Sequence, residues 1–371
     1  MKASFVSFLK NRYSHLDEAV LRQAIADQLL SPFQIKLSRD QLDRLKSQIK
    51  WYGKLRDWSE LNLTDQYYAR GLKKPQNHSV CMSYDFHINS EGLPELIEIN
   101  TNASFLALGL EMYDFLKLPN AAADFKQADL IKMFLAEHQI VSQESDPSFV
   151  IIDDEPKQQR LYVEFLIYQQ LLQEHDLKCG VVDFRNTEAI EKATLIYNRY
   201  TDFYLEQPVS AHLKKLFNER ANFSPNPYEY FLLADKQRQL DWNKQTEVAK
   251  PSSLLKSYDL GSADRDQIWN ERKQLFIKPK NSFGSKQAYK AASISKKTFE
   301  EVFNSNFIAQ QLSVPAEVEV NVAGQLQNMK YDLRCYAYKD ELQLIVARLY
   351  QGQTTNLRTL GGGFAAVVID S

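Results

Sequence analysis

Three neighbouring stretches decide the reading of this chain: Ser79-Val80-Cys81-Met82-Ser83-Tyr84-Asp85-Phe86-His87-Ile88, then Asn89-Ser90-Glu91-Gly92, then Leu96-Ile97-Glu98-Ile99-Asn100. Two strand-like arms flank a turn that contains glycine, the pattern of a β-hairpin. Side chains alternate faces along a strand, so Glu98 and Asn100 point one way while Ile97 and Ile99 point into the core. With a four-residue turn over 89–92, Ile88 pairs with Leu93 and Asp85 with Leu96. Asp85 then shares a face with Glu98 on its diagonal, about 7–8 Å away between backbones. A one-residue error in that turn flips Asp85 away. Two carboxylates and an amide oxygen converging on one face are hard ligands suited to a magnesium ion that bridges a triphosphate. Ordinary solvated strand positions are the alternative for the hairpin taken alone.

Before the hairpin, residues 1–78 read as a helical N-terminal region. Leu16, Ala19, Val20, Ala24 and Leu29 recur at helix spacing, and the charged stretch 38–50 is helical again. The region carries Tyr13, Trp51, Tyr52 and Trp58 but no recognisable chemistry, which suits a helical cap or a cover on the substrate side. After the hairpin more helix runs to about His138, completing a segment over 79–146.

A β/α alternation fills 147–240. Ser148-Phe149-Val150-Ile151-Ile152-Asp153 is a short apolar strand, and a helix follows over 158–175. Cys179-Gly180-Val181-Val182-Asp183-Phe184 and Leu195-Ile196-Tyr197-Asn198-Arg199 are two further strands. This rhythm predicts a small parallel sheet covered by helices. No G-x-G-x-x-G follows the first strand, so a dinucleotide site is not supported. Arg185 and Arg199, near strand ends, are candidates for gripping a substrate carboxylate.

The last segment, 241–371, opens with a polar connector over 247–266. Strands follow at Leu275-Phe276-Ile277-Lys278, Phe307-Ile308-Ala309-Gln310, Tyr331-Asp332-Leu333-Arg334 and Leu344-Ile345-Val346-Ala347-Arg348. Lys278 closes an apolar strand, and the loop Asn281-Ser282-Phe283-Gly284-Ser285-Lys286 after it offers backbone N–H groups and an ammonium to phosphates. It is not a Walker A loop. Arg334 and Arg348 on neighbouring strands can clamp phosphoryl oxygens. Gly361-Gly362-Gly363 permits close backbone approach to a ligand or unusual φ angles. Taken one at a time, each of these elements also reads as a solvated lysine, a surface salt bridge or a flexible turn. No serine–histidine nucleophile is evident, because nothing places a serine beside His87 or His175.

The bulk numbers agree with two or three domains rather than one. Of 371 residues, 44% are hydrophobic, ample for several cores. With 45 basic and 47 acidic residues the chain has no global field to attract nucleic acid. Three scattered cysteines give no disulfide framework or zinc site and fit a reducing compartment. No signal peptide and no run of about twenty apolar residues is present, so a cytoplasmic location and no membrane partner are expected.

Taken together, these blocks resemble the ATP-grasp superfamily. In its D-alanine and glutamate-adding ligases a lysine strand is followed by a hinge, a D-x-R strand, an arginine strand with a glycine-rich turn, and finally an aspartate strand and E-x-N. Here the middle of that series lies at Tyr331-Asp332-Leu333-Arg334 through Thr355-Asn356-Leu357-Arg358 and Gly361-Gly362-Gly363. The aspartate and E-x-N strands lie near the other end, at Ser83-Tyr84-Asp85 and Ile97-Glu98-Ile99-Asn100. Such an order is similar to that of circularly permuted ligases, the eukaryotic glutathione synthetases and glutathionylspermidine synthetase-like proteins. Their E-I-N-T-x-x-A-S-F block is matched by Glu98-Ile99-Asn100-Thr101-Asn102-Ala103-Ser104-Phe105.

The resemblance implies an α/β fold of the ATP-grasp kind. A small parallel-sheet pre-ATP-grasp domain at 147–240 helps bind the acid substrate, and the catalytic domain is built from both chain ends. It implies ATP and Mg²⁺ as cofactors, with Asp85, Glu98 and Asn100 as metal ligands. Lys236 and Lys278 become the phosphate lysines, joined by Ser285 and Lys286 of the loop. Gln310, Gln311 and Leu312 form the hinge against adenine, and Glu317 meets the ribose. Arg334 and Arg348 hold the γ-phosphate or acyl phosphate, with Asn356 beside them. Two positions depart from the pattern: Ser282 stands where a metal-binding glutamate is expected, and Ser83 or a neighbour stands where an arginine is. These departures count against glutathione itself as product. The implied reaction joins a small-molecule or peptide carboxylate to an amine through an acyl phosphate, releasing ADP and phosphate. A kinase-like member or a catalytically inactive ATP-binding regulator is the alternative, and a homodimer is compatible with either. Alanine at Glu98 or Arg334 is expected to remove turnover and leave the fold largely intact.

Overall fold

The computed structural model describes residues 1–281, 288–353, 355–356 and 358–370. Its largest sheet joins the two ends of the chain. The strands are β1 (Leu30–Leu37), β2 (Met82–Ile88), β3 (Pro94–Asn100), β12 (Ala316–Val322), β13 (Gln325–Tyr338), β14 (Glu341–Tyr350) and β15 (Gly363–Ile369). Their order is β1-β15-β14-β13-β2-β3, with β12 also paired to β13. A second sheet holds β4 (Ser148–Asp153), β5 (Lys178–Asp183), β6 (Leu195–Asn198) and β7 (Phe223–Ser224), ordered β5-β4-β6-β7. All its pairings are parallel, as the strand–helix–strand rhythm predicts. The third sheet, of β8 (Ser257–Asp259), β9 (Leu275–Pro279), β10 (Tyr289–Lys290) and β11 (Phe307–Gln311), is antiparallel in the order β10-β9-β11-β8.

Alternation along the strands divides the large sheet into two faces. Cys335, Ile345, Ala347, Ala365 and Val367 are buried on one face with Leu42, Leu45, Ile49, Tyr52 and Leu55 of helix α3 (Arg39–Tyr68), which recur at helix spacing. That helix begins at a capping box: Gln41 N–H donates to Ser38 Oγ and Ser38 N–H donates to Gln41 Oε1. Tyr336, Leu344, Val346, Phe364 and Ala366 face the other way, into a core with the helix Leu106–Leu116. The polar residues Asp85, Asp332, Arg334 and Arg348 share this second face, beyond the edge of its apolar cover. The rings of Phe105 and Phe364 stack where the two halves meet, with centroids 3.5 Å apart. Such a pair adds about 0.5–1.5 kcal/mol to the area it buries.

The N-terminal stretch expected to be helical also holds β1. Pro32 excludes a helix interior, the period-2 burial of Ile35 and Leu37 marks a strand, and it pairs in parallel with β15. The glycine run, expected to allow close backbone approach to a ligand or unusual φ angles, shows the second at Gly361 and Gly363 and admits this neighbouring strand. At Gly363, φ is +111°, and a Cβ would lie 2.4 Å from Gln28 O. Phe364 N–H donates to Leu29 O beside it. Among the described residues no helix is long and apolar enough to cross a membrane.

Gly363→Ala is therefore expected to cost about 3 kcal/mol or more, combining a disfavoured φ with a backbone clash. Gly324→Ala, at a φ of +89° with open space around it, tests the φ term alone and costs about 1 kcal/mol. Urea unfolding midpoints of the two variants check the difference.

Candidate functional site

Three sheets converge on one cleft of about 1000 Å³. Its floor is the polar part of the large sheet, and the hairpin β2–β3 supplies one side. The observed turn covers 89–93 rather than 89–92: Asn89 N–H donates to Leu93 O, and Asn89 Oδ1 accepts from Glu91 and Leu93 N–H. Ile88 consequently pairs with Pro94. A bulge between Asp85 and Phe86 on the β2 side then places Asp85 directly opposite Glu98. Two one-residue shifts restore the parity, so Asp85 and Glu98 do share a face. Ile97, expected in the core, is the extra residue at the bulge and lines the cleft instead.

Asp85 is fully buried, yet it is not a free ligand. Arg334 donates to it twice, Nε to Oδ1 at 3.0 Å and Nη2 to Oδ2 at 2.7 Å. Arg348 Nη2 adds a contact to Oδ2 at 2.9 Å, and Ser83 Oγ donates to Oδ1 at 3.1 Å. Arg348 Nε also donates to Asp332 Oδ1 at 2.6 Å, and Thr355 Oγ1 donates to the other oxygen of Asp332 at 2.6 Å. Burial alone would raise the Asp85 pKa, but the two guanidinium charges outweigh it and hold the carboxyl below its ordinary range. Glu98 and Asn100 are half-buried beside this group. Asn100 Nδ2 lies 3.2 Å from Asp85 Oδ2 and 3.4 Å from Glu98 Oε1.

Lys236 and Lys278, forty-two positions apart in sequence, both line the cleft. Lys278 Nζ donates to Ile97 O and to Gln310 Oε1, each at 2.8 Å. Burial, then repulsion from Lys236, lowers its pKa to about 7, and Glu98 offsets part of the loss. Two neighbouring buried cations suit an anion between them.

The opposite end of the cleft lies at the carboxyl ends of β4 and β6. Arg199 reaches it, with Nη1 donating to Ala103 O at 2.9 Å and Nε buried without a partner. Asp153 lines the same end. Burial pushes its carboxyl up to about 6 against the pull of Arg199. The backbone between the two ends is fixed at Phe105, whose φ is +81°. Buried Glu164 accepts from the N–H groups of Phe105 at 2.7 Å and Ala107 at 3.1 Å, at the start of the helix Leu106–Leu116.

The structure gathers Asp85, Glu98, Asn100, Lys236, Lys278, Gln310, Gln311, Leu312, Arg334, Arg348, Asn356 and Arg199 around this cleft. Arg185 lies outside its lining; it follows the edge strand β5 and pairs with Asp154 and Asp183 on the surface. Glu317 is exposed on β12 opposite Lys330 and does not line the cleft. Ser282, Ser285 and Lys286 lie outside the described residues. Asn356 reaches the cleft, but its side chain holds its own loop through Gln351 O and Arg358 N–H. A serine does stand beside His87: Ser313 Oγ lies 3.1 Å from Nδ1. Ser313 O lies 3.2 Å from the same nitrogen, so the imidazole faces both polar groups of one residue. Gln239, absent from the sequence reading, carries no motif and is found only through its contact with Gln310.

Among the described residues no three His, Cys, Asp or Glu side chains gather as a self-contained metal cage. Glu98, with Asn100 turned to present its oxygen, fits a magnesium ion that arrives on phosphates, because Mg²⁺ takes one or two carboxylates and fills its shell with phosphate and water. Asp85 would contribute only by releasing an arginine.

No family model and no curated protein matches the chain. Among solved structures, a glutathione synthetase-like effector from Globodera pallida, solved in its apo form, is similar over 92% of this chain and 90% of its own. The TM-score is 0.58 and the identity 10%. A proposed gamma-glutamylcysteine synthetase from Methylobacillus flagellatus KT covers 84% of each chain at a TM-score of 0.47 and 9% identity. The first likeness establishes a shared α/β fold.

Since Asp85 is the carboxylate that Arg334 pairs with, while Arg348 also holds Asp332, Asp85→Asn leaves the buried Arg334 uncompensated and is expected to destabilise the fold by about 3–5 kcal/mol at pH 7. Arg334→Ala, expected from sequence to spare the fold, shares this liability. The Asp85 contribution is present above the carboxyl's unfolded pKa and is lost as pH falls through its lowered folded value. Urea unfolding of wild type and Asp85→Asn, from pH 7 down to pH 3, checks this: the gap between them narrows toward acid.

Proposed function

We propose that this protein is an ATP-dependent carboxylate–amine ligase. One observation carries the reading: four cations, Lys236, Lys278, Arg334 and Arg348, and the oxygen donors Glu98 and Asn100 meet in a single cleft. They come from three separate parts of the sequence, and chance surface charges do not converge in that way. The order of the blocks is that of a circularly permuted ATP-grasp domain, a reading supported by β2 of residues 82–88 lying directly against β13.

Lys236 and Lys278 hold the nucleotide phosphates, with the strand end at Gln311 and Leu312 against the base. Arg334 and Arg348 each keep Nη1 outside their bonds to Asp85 and Asp332. They neutralise the phosphoryl group as it passes to a substrate carboxylate, and then the acyl phosphate. Glu98 and Asn100 would hold magnesium, which supplies charge neutralisation on the phosphates. Arg199 takes a carboxylate of the acid at the far end. An amine then attacks the acyl carbon, forming the C–N bond and expelling phosphate. No protein nucleophile is needed, because positioning, charge neutralisation and exclusion of water do the work.

The purified protein with Mg²⁺-ATP is expected to release ADP only when an acid and an amine are both supplied, with a condensed product detected by mass. Release with an acid alone indicates a kinase-like member, and ATP binding without release in any mixture indicates a regulator. Glu98→Ala, at a half-exposed position, is expected to lose about 100-fold or more of the turnover while unfolding like wild type.

A further inference from the structure

Lys278 stands in a closed ring of hydrogen bonds that the ligase reading does not require. As an ammonium it has only donors, and the amide of Gln310 turns Oε1 toward it, at 2.8 Å. That choice aims Gln310 Nε2 the other way, where it donates to Gln239 Oε1 at 2.8 Å. Gln239 Nε2 is thereby directed to Ile97 O at 3.5 Å, and Ile97 O also accepts from Lys278. Gln239 and Gln310 are 4% and 3% exposed, so water does not compete for these groups. The ring joins four elements: β11, β9, the helix Gln237–Lys244, and β3 at its bulge next to Glu98.

The sheet register explains why this residue does the holding. Ile308 is the direct partner of Lys278 on β9, so Gln310, two residues on, lies on the same face and on its diagonal. The backbone of Gln310 is paired on both sides, with Phe276 and with Ser257. Neither its side chain nor its backbone is therefore left to read a base, which removes it from the hinge role that its position in the sequence suggests.

We infer that Gln310, braced by Gln239, is the positioning residue for Lys278, fixing the ammonium between the nucleotide end of the cleft and the Glu98 hairpin. This rests on the reading of Lys278 as a phosphate ligand. The charged groups that face Lys278 are Lys236 and Glu98. Between them, an ammonium with an unrestrained four-carbon stem would swing toward the carboxylate. With two of its N–H groups held by the ring, the third stays directed to a ligand.

The test uses the full chain with Gln310→Leu, Gln310→Glu and Gln239→Leu. Titration of ¹³C-labelled lysine ε-carbons by NMR, with Lys278→Met to assign the signal, follows the ammonium without nucleotide. Calorimetry then gives ATP affinity at pH 7.5. Gln310→Leu is expected to weaken ATP binding about tenfold, the loss of a charge-assisted hydrogen bond, and Gln239→Leu less. Gln310→Glu restores binding and moves the Lys278 titration up by about one pH unit or more. An unchanged Lys278 titration in every variant, with wild-type ATP affinity, overturns the inference. If wild type fails to bind ATP while Gln310→Glu still moves the titration, the ligase reading falls and the positioning role stands.

Discussion

The structure of the site depends on one buried carboxylate. Asp85 stands on β2, and the two arginines it bridges stand on β13 and β14, roughly two hundred and fifty residues later in the chain. A charge removed from water is tolerated only when paired and hydrogen-bonded, so all three side chains have one arrangement in common. That arrangement pins the hairpin to the C-terminal strands, and with it Glu98 and Asn100 to the arginines. The apolar part of the same face, sealed by the helix Leu106–Leu116 and the Phe105–Phe364 stack, fixes where the polar floor begins.

Much of this was legible in the sequence, because alternation and turn chemistry are local. The hairpin arms, the parallel sheet and the strands that carry Lys278, Arg334 and Arg348 follow from them. The hairpin register does not. Its turn is one residue longer than expected and its strand bulges by one residue, and only the sum of the two shifts keeps Asp85 facing Glu98. Neither shift leaves a mark in composition. β15 is hard to read for a different reason: Phe364-Ala365-Ala366-Val367-Val368 is apolar throughout because both faces are covered, so no period appears. β12 alternates plainly, but giving Glu317 to the ribose passes over the strand, and that glutamate ends up exposed.

What the side chains do to one another was less legible still. Sequence could nominate Asp85 as a metal ligand but could not show that its oxygens are occupied by Arg334, Arg348 and Ser83. It nominated Arg185 and Arg199 on equal terms. Only the sheet order separates their places, since β6 lies inside the parallel sheet and β5 at its edge. Gln239 belongs to no motif, and its place in the lysine ring follows from packing alone.

The measurement that bears most directly on the central claim is a crystal structure of the protein with magnesium and a non-hydrolysable ATP analogue. The triphosphate is expected to lie against Lys236 and Lys278, with the metal on Glu98 and Asn100 and the terminal phosphate facing Arg334 and Arg348. An analogue bound elsewhere, or a cleft that takes none at millimolar concentration, would contradict it.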